Sequence, residues 1–241
     1  MYVDPFRSDY PMVHATERNM RRLGYKAAVP TRISGLTLPT YGREYAALEG
    51  WVLQRLGRID HEWRVTRIAL ALFDLLVRRH KLNHRCRDLL ALGALVHDVG
   101  RSVDIATHPR EGARLILKNK DIELGETLRV RLAYLTLYHR GPVPELGEDE
   151  ILLPGEDLVS MRLALGLLRA ADALDCRRAD PPALRFTHTG RRLRVHCHLR
   201  NASSKVKRAY LRPKKFRLLE ETLQCKVELR VRCGEELMLV G

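Results

Sequence analysis

The 241-residue sequence has no apolar run near the roughly 18 residues that a membrane span requires. Its first twenty residues, MYVDPFRSDYPMVHATERNM, lack the apolar core of a secretory signal peptide. Nothing directs export, and a cytoplasmic setting is expected. Cysteine is scarce. The five thiols, Cys86, Cys176, Cys197, Cys225 and Cys233, are odd in number, and no two stand at CxxC spacing. That pattern argues against a disulfide frame or a structural zinc site and fits reduced thiols. Internal repeats and low-complexity tracts are absent. Acid is short relative to base: 43 Lys and Arg face 29 Asp and Glu, a formal net charge of +14. Such a balance says nothing of fold but favours polyanionic partners, namely nucleic acid, nucleotides, polyphosphate or an anionic membrane. The alternative is a set of solvated, Arg-rich faces.

What is present is an ordinary balance of 45% hydrophobic and 30% charged residues, in a chain long enough to bury a core without disulfides. Residues 1–42, with Pro5, Pro11, Pro30 and Pro39, read as an arm holding at most one short helix near Thr16 to Leu23. Helical spacing then predicts Arg43 to Leu56, stopped by Gly57, and Asp60 to His80, capped by Asp60. A third helix is predicted from His84 to Val99, between an Asn83 cap and a Gly100 stop. Further helices are expected over His108 to Lys118 (Thr107 as cap), Leu124 to His139 and Val159 to Arg177. Beyond Pro181-Pro182, alternating residues predict a hairpin of Ala183 to His188 and Arg192 to Leu199. A helix over Arg212 to Gln224 and a strand over Lys226 to Cys233 follow. The expected organisation is mainly α: an arm (1–42), a helical body (43–180) and a small α+β (β-β-α-β) appendage (181–241).

The chemistry gathers around LLALGALVHDVG, residues 89–100, an apolar helix ending in His97 and Asp98. A buried charge must be paired or must coordinate a metal. Other ionisable residues fall at the ends of apolar helices or within them: His61, His108, His139 and Asp172. Facing helices can bring such groups together as a metal site. Neutral imidazoles and carboxylates suit a divalent ion (Mn, Zn, Fe, Co or Mg), which can acidify water and clamp a phosphoryl oxygen. His108 and His139 are candidates for a second metal or for the phosphate, and Arg101 and Arg140 for substrate oxygens. Asp98, His139 and Arg140 are the catalytic candidates. The bland alternatives are a capping histidine at each helix end and pairing of Asp172 with Arg169, Arg177 or Arg178. Asp175 lies three residues from Asp172 on the same helical face and could replace it as ligand.

In the appendage, Lys205, Lys207, Arg208, Arg212, Lys214, Lys215 and Arg217 form a basic cluster. It could track a polyphosphate or nucleic-acid backbone by charge neutralisation. Lys205, Lys207, Lys214 and Lys215 are the substrate-binding candidates. Few aromatics interleave the cluster, which excludes a base-stacking platform; the alternative is a solvated helix face. His196 and His198 share one face of a strand and read as exposed strand residues, while Trp51 and Trp63 read as packing residues.

The ordered set His61, His97-Asp98, Asp172 resembles the H…HD…D pattern of the HD superfamily of metal-dependent phosphohydrolases. HEWRVTRIALALFDLL, THPREGARLILKN, YLTLYHRGPVP and LLRAADALDCRRAD narrow the resemblance. They are similar to the HD-type C-terminal region of exopolyphosphatase/guanosine pentaphosphate phosphatase (Ppx/GppA) proteins, over roughly residues 43–235. The resemblance implies an HD-type helical bundle running into a small α+β segment. It also implies a divalent ion held by His61, His97, Asp98 and Asp172, with LLRAADALD aligning Asp172 rather than Asp175. HPREGA and YHRGP resemble the HD-GYP cyclic-dinucleotide phosphodiesterases, where His at such positions binds a second metal, although the Gly-Tyr-Pro signature is absent. The phosphatase chemistry of Ppx/GppA proteins resides in an actin-like N-terminal domain with Gly-rich phosphate loops. About 42 residues precede the helical body here, so a stand-alone HD module is expected and the exopolyphosphatase activity is not carried over. The expected function is hydrolysis of a nucleotide, guanosine polyphosphate or polyphosphate. The alternative is a non-catalytic polyanion-binding regulatory module with a residual HD site. A third is a subunit that assembles with an actin-like phosphatase. Expected partners are a phosphorylated small molecule or polyphosphate and no membrane, with nucleic acid and a homodimer left open.

Overall fold

The computed structural model describes residues 2–3, 42–149, 151–177, 180–200, 203–210, 213–234 and 236–240. Its first helix, α1 (Gly42–Leu56), stops where Gly57 takes a φ of 73°, a left-handed conformation that costs glycine nothing. In α2 (Asp60–His80), Val65, Ile68, Leu72 and Leu76 recur at helical spacing and are fully or almost fully buried. Ile59 holds the cap position, and no side chain caps the helix. Asp60 is therefore a first-turn residue and not the expected cap; with Glu62 it complements the positive end of the helix dipole.

In α3 (His84–Val96) the Asn83 side chain accepts from the Cys86 amide at 3.1 Å, as expected. The helix ends at Val96, three residues earlier than predicted. The chain turns at His97 and Asp98 and continues as a 3₁₀ segment, Val99–Ser102. Gly100 is not the helix stop. A Cβ there would lie 2.1 Å from the His108 carbonyl oxygen and 2.3 Å from the Gly112 nitrogen. Its role is close approach: it lets the 3₁₀ segment press against α4 (His108–Lys118). Thr107 stands at the cap of α4 but its side chain does not cap. It donates instead to Asp104 at 2.9 Å. Next come α5 (Glu126–Tyr138) and α6 (Leu158–Leu174), the latter capped by Asp157 on the Ser160 amide. Helix α2 packs on α3 and α6, α3 also meets α5 and α6, and α4 lies along α5.

The second part is a mixed sheet. Strands β2 (Ala183–Thr189) and β3 (Arg192–Leu199) form the expected hairpin, and β4 (Lys226–Cys233) runs parallel to β3. Parallel pairing needs a crossover. It is supplied by α7 (Ser204–Tyr210), a 3₁₀ segment (Pro213–Phe216) and α8 (Arg217–Leu223). The single helix expected over Arg212 to Gln224 is thus split. Helix α7 was not anticipated, because SKVKRAY buries only Val206 and Tyr210 and its polarity resembles a loop. A final strand, β5 (Glu236–Val240), also unforeseen, pairs with β4, and β1 (Tyr2–Val3) pairs with β2. The rest of the expected arm, with its short helix near Thr16 to Leu23, lies outside the described residues. The inward strand residues, among them Phe186, Val195, Leu229 and Val231, join the helical core in one cluster, with α8 packed on α6. No described helix is long and apolar enough to cross a membrane.

Gly100→Ala is expected to destabilise the fold by about 2 kcal/mol through overpacking against α4, a fall of roughly 4–8 °C in Tm in a thermal melt.

Candidate metal centre

Four helices and one turn meet at Asp98. His61 stands in the first turn of α2, His97 and Asp98 at the end of α3, His108 at the start of α4 and His139 just after α5. Asp172 lies in the last turn of α6. A helix C-terminus leaves carbonyls unpaired, which His97 and His139 use, while His108 uses a carbonyl of the loop before α4. His97 Nδ1 donates to the Ala94 carbonyl at 2.7 Å, His108 Nδ1 to Ile105 at 2.8 Å and His139 Nδ1 to Thr136 at 2.6 Å. A carbonyl only accepts, so each Nδ1 carries the proton, and in the neutral ring each Nε2 presents a lone pair.

All four Nε2 atoms converge on the buried Asp98 carboxylate. His108, His139 and His97 lie 3.1, 3.5 and 3.9 Å from Oδ1, and His61 lies 3.8 Å from Oδ2. Two buried triads capable of holding a metal ion result, His61–His97–Asp98 and Asp98–His108–His139, with Asp98 common to both. The fit to a cation shows in what the protein leaves unmade. His61 Nε2, His97 Nε2 and Asp98 Oδ1 are buried without a hydrogen-bond partner. His108 Nε2 and His139 Nε2 face each other at 3.2 Å. Acceptors gathered this closely repel one another unless a cation or a proton lies between them.

The neighbouring groups set the charge states. Burial alone would raise the Asp98 carboxyl, but the surrounding imidazoles of His97, His108 and His139 hold it well below the usual carboxylate range. Burial opposes ionisation of Asp172 too, and is outweighed by His61, His97 and Arg140. Burial lowers His139, which keeps it neutral. His61 is the exception: burial would lower it, yet Asp172 and Asp175 lift it to about 9.

Asp172 and Asp175 stand on opposite sides of the His61 ring. Asp172 Oδ1 lies 3.4 Å from His61 Nε2 and 3.7 Å from His97 Nε2, on the side of the triads. Asp175 Oδ2 lies 2.5 Å from His61 Nδ1, on the opposite side of the ring, and is braced by Arg64. Asp175 orients the imidazole, as a carboxylate behind a metal-ligating histidine does. The sequence reading missed Glu62 and offered Arg177 as a partner for Asp172, a place that Arg140 takes. Arg177 donates to Asp98 Oδ2 at 2.9 Å and also to Glu62 Oε1, and Glu62 is wholly buried. Only the adjacency of Glu62 to His61 hinted at it; the partner lies 115 residues away.

A cleft of about 640 Å³ opens beside the triads. Its walls include His139, Asp172 and six cations: Arg101, Arg140, Arg169, Arg177, Lys205 and Lys215. Arg140 reaches Asp172 Oδ2 at 3.0 Å with half its side chain exposed, and Arg101 lies 3.7 Å from Asp98 Oδ2. Of the lysines proposed from sequence, Lys205 and Lys215 reach the cleft. Lys207 is not among its lining residues, and the Lys214 side chain lies outside the described residues, as does Arg212. Arg217 turns away to Glu221. His196 and His198 are exposed on the sheet, apart from the triads. Trp51 is buried, and Trp63 donates to Glu49 at 2.7 Å, both as packing residues.

The raised His61 pKa has a pH consequence. Its contribution to stability is complete below about 6.5 and is lost as pH rises through about 9. Chelator-treated protein is expected to lose several degrees of Tm between pH 6.5 and 9.5. Asp175→Asn, which withdraws one of the two carboxylates, is expected to flatten that loss.

No curated protein matches the chain. One family does: the model described as Ppx/GppA phosphatase, domain III, matches residues 55–218. The match covers more than half of the chain and contains Asp98 and the five His and Asp residues around it. Helices α2 to α6, the hairpin and the first part of the crossover fall within it, and the chain belongs to the Ppx/GppA phosphatase family through this domain.

Proposed function

We propose that the chain is an HD-type, metal-dependent phosphohydrolase acting on a phosphoester or phosphoanhydride of the nucleotide, guanosine polyphosphate or polyphosphate class. One observation carries the reading: two buried His/Asp triads share Asp98 and border a cleft lined by six cations. His61, His97, Asp98 and Asp172 would hold one divalent ion, and Asp98, His108 and His139 a second. A bound ion of this kind supplies Lewis acidity toward a phosphoryl oxygen and lowers the pKa of water.

The chain's own residues do the rest. Asp98 stays ionised and common to both triads. Where only the first ion is bound, neutral His139, on the cleft wall, has its Nε2 placed to accept a proton. Arg140 is anchored to Asp172 on one side, and its guanidinium is half exposed for phosphate oxygens. Arg101, Lys205 and Lys215 add positive charge around the bound phosphate. The segment from residue 181 onward thereby contributes to a site built mainly by residues 43–180. The scattered free thiols support a cytoplasmic setting.

A second reading has its own support. Arg177 on Asp98 and Arg140 on Asp172 already balance two carboxylates without a metal. On that reading the chain is a polyanion-binding regulatory module with a residual site.

Elemental analysis of the purified protein, with phosphate release from nucleotides, guanosine polyphosphates and polyphosphate in Mn, Zn, Fe, Co or Mg, separates the two. Hydrolysis predicts bound metal and turnover, both abolished in Asp98→Ala, and a loss of about 10–100-fold in metal affinity in Asp175→Asn. Wild-type protein with neither metal nor turnover overturns the proposal.

A further inference from the structure

The outward face of the sheet carries charge that neither the core nor the cleft uses. Strand register fixes which side chains share that face, because the alternate residues of β2, β3 and β4 are buried. One row across the three strands reads Arg185, His196, Arg230. The next joins His198 to Arg232, and two more join Arg194 to Glu228 and Arg192 to Lys226. Among the described residues of these rows, six cations therefore share one carboxylate. Glu228 takes Arg194 at 3.0 Å and Arg192 at 3.5 Å. Arg185, Arg230 and Arg232 are exposed and have no acidic partner among the described residues.

This arrangement opposes folding, since like charges set opposite each other across strands destabilise a sheet. The local potential registers on His196. Burial lowers its pKa, and Arg230, Arg185 and Arg194 lower it further. A fold free to place acids in these rows would relieve the strain with one or two substitutions.

We infer that this face is a second polyanion site, separate from the cleft, that takes the phosphodiester backbone of a nucleic acid without reading its bases. None of these strand residues lines the cleft. The register spreads these cations in rows along three strands rather than gathering them in a cleft. Seven residues of strand span about 20 Å, over which one nucleic-acid strand presents about six phosphates. Across β2, β3 and β4 the rows hold no Phe, Tyr or Trp, so bases find no stacking platform between the arginines.

The experiment is fluorescence anisotropy of the full chain with a labelled 20-base-pair DNA duplex and a labelled single strand, in EDTA, across a KCl series. Binding is expected to be independent of sequence and of metal, with a slope of log K against log[salt] of about −4 to −5. Arg185→Ala/Arg230→Ala/Arg232→Ala is expected to weaken binding about 10–100-fold at 100 mM KCl and to reduce that slope by about 3. It should leave phosphate release in the cleft unchanged, so failure here and failure of the hydrolase reading are distinguishable. The single reversal Arg230→Glu serves should the triple variant not fold, with a weakening of at least several-fold expected. Unchanged affinity and slope in these variants overturns the inference. So does loss of binding in Lys205→Ala/Lys215→Ala instead, or capture by phosphatidylserine vesicles without binding to either oligonucleotide.

Discussion

One buried carboxylate organises this molecule. Asp98 lies at the turn after α3 with four imidazole nitrogens within 3.9 Å of its oxygens and the Arg177 guanidinium at 2.9 Å. Left alone, a buried charge of this kind would cost several kcal/mol. Every element that supplies a partner must therefore end at the same point. Helices α2, α3, α4, α5 and α6 do so, and each delivers its group from a terminus or terminal turn. Carbonyls three residues upstream, at helix C-termini for His97 and His139 and in the preceding loop for His108, orient the rings and leave their outer nitrogens free to face Asp98.

The same demand explains features that look like irregularities. Helix α3 stops at Val96, and the turn after it holds Asp98 where the other helix ends meet. The 3₁₀ segment that follows tolerates only glycine at position 100, where backbone meets backbone from α4. Glu62, buried completely, is matched by Arg177, which also holds Asp98 Oδ2, leaving Oδ1 to the histidines. The sheet is tied to this arrangement through α6: its C-terminal turn carries Asp172, while its flank packs on α8 of the crossover. Lys205 and Lys215, both from that crossover, complete the positive wall of the cleft.

Two basic surfaces result, and they differ physically. The cleft concentrates cations around a concave site with anionic and imidazole groups at its base. The sheet spreads them over a solvated face where their mutual repulsion goes almost unanswered. A net charge of +14 describes both equally, which is why composition alone could not separate them.

By itself the sequence determined the helices, the hairpin and the identity of His61, His97, Asp98, His108, His139 and Asp172 as one set. Apolar periodicity is a local property, and ionisable residues at the ends of apolar helices stand out against it. Tertiary structure alone decided which atom of each residue faces which. Asp172 and Asp175 share a helical face in sequence, and only packing put one before His61 and the other behind it. The Glu62–Arg177 pair joins residues 115 apart, a separation no spacing rule spans. Helix α7 and strand β5 were missed for a related reason. Short segments carry little periodic signal: α7 is imposed by the parallel pairing of β3 with β4, which forces a crossover between them, and β5 by pairing with β4.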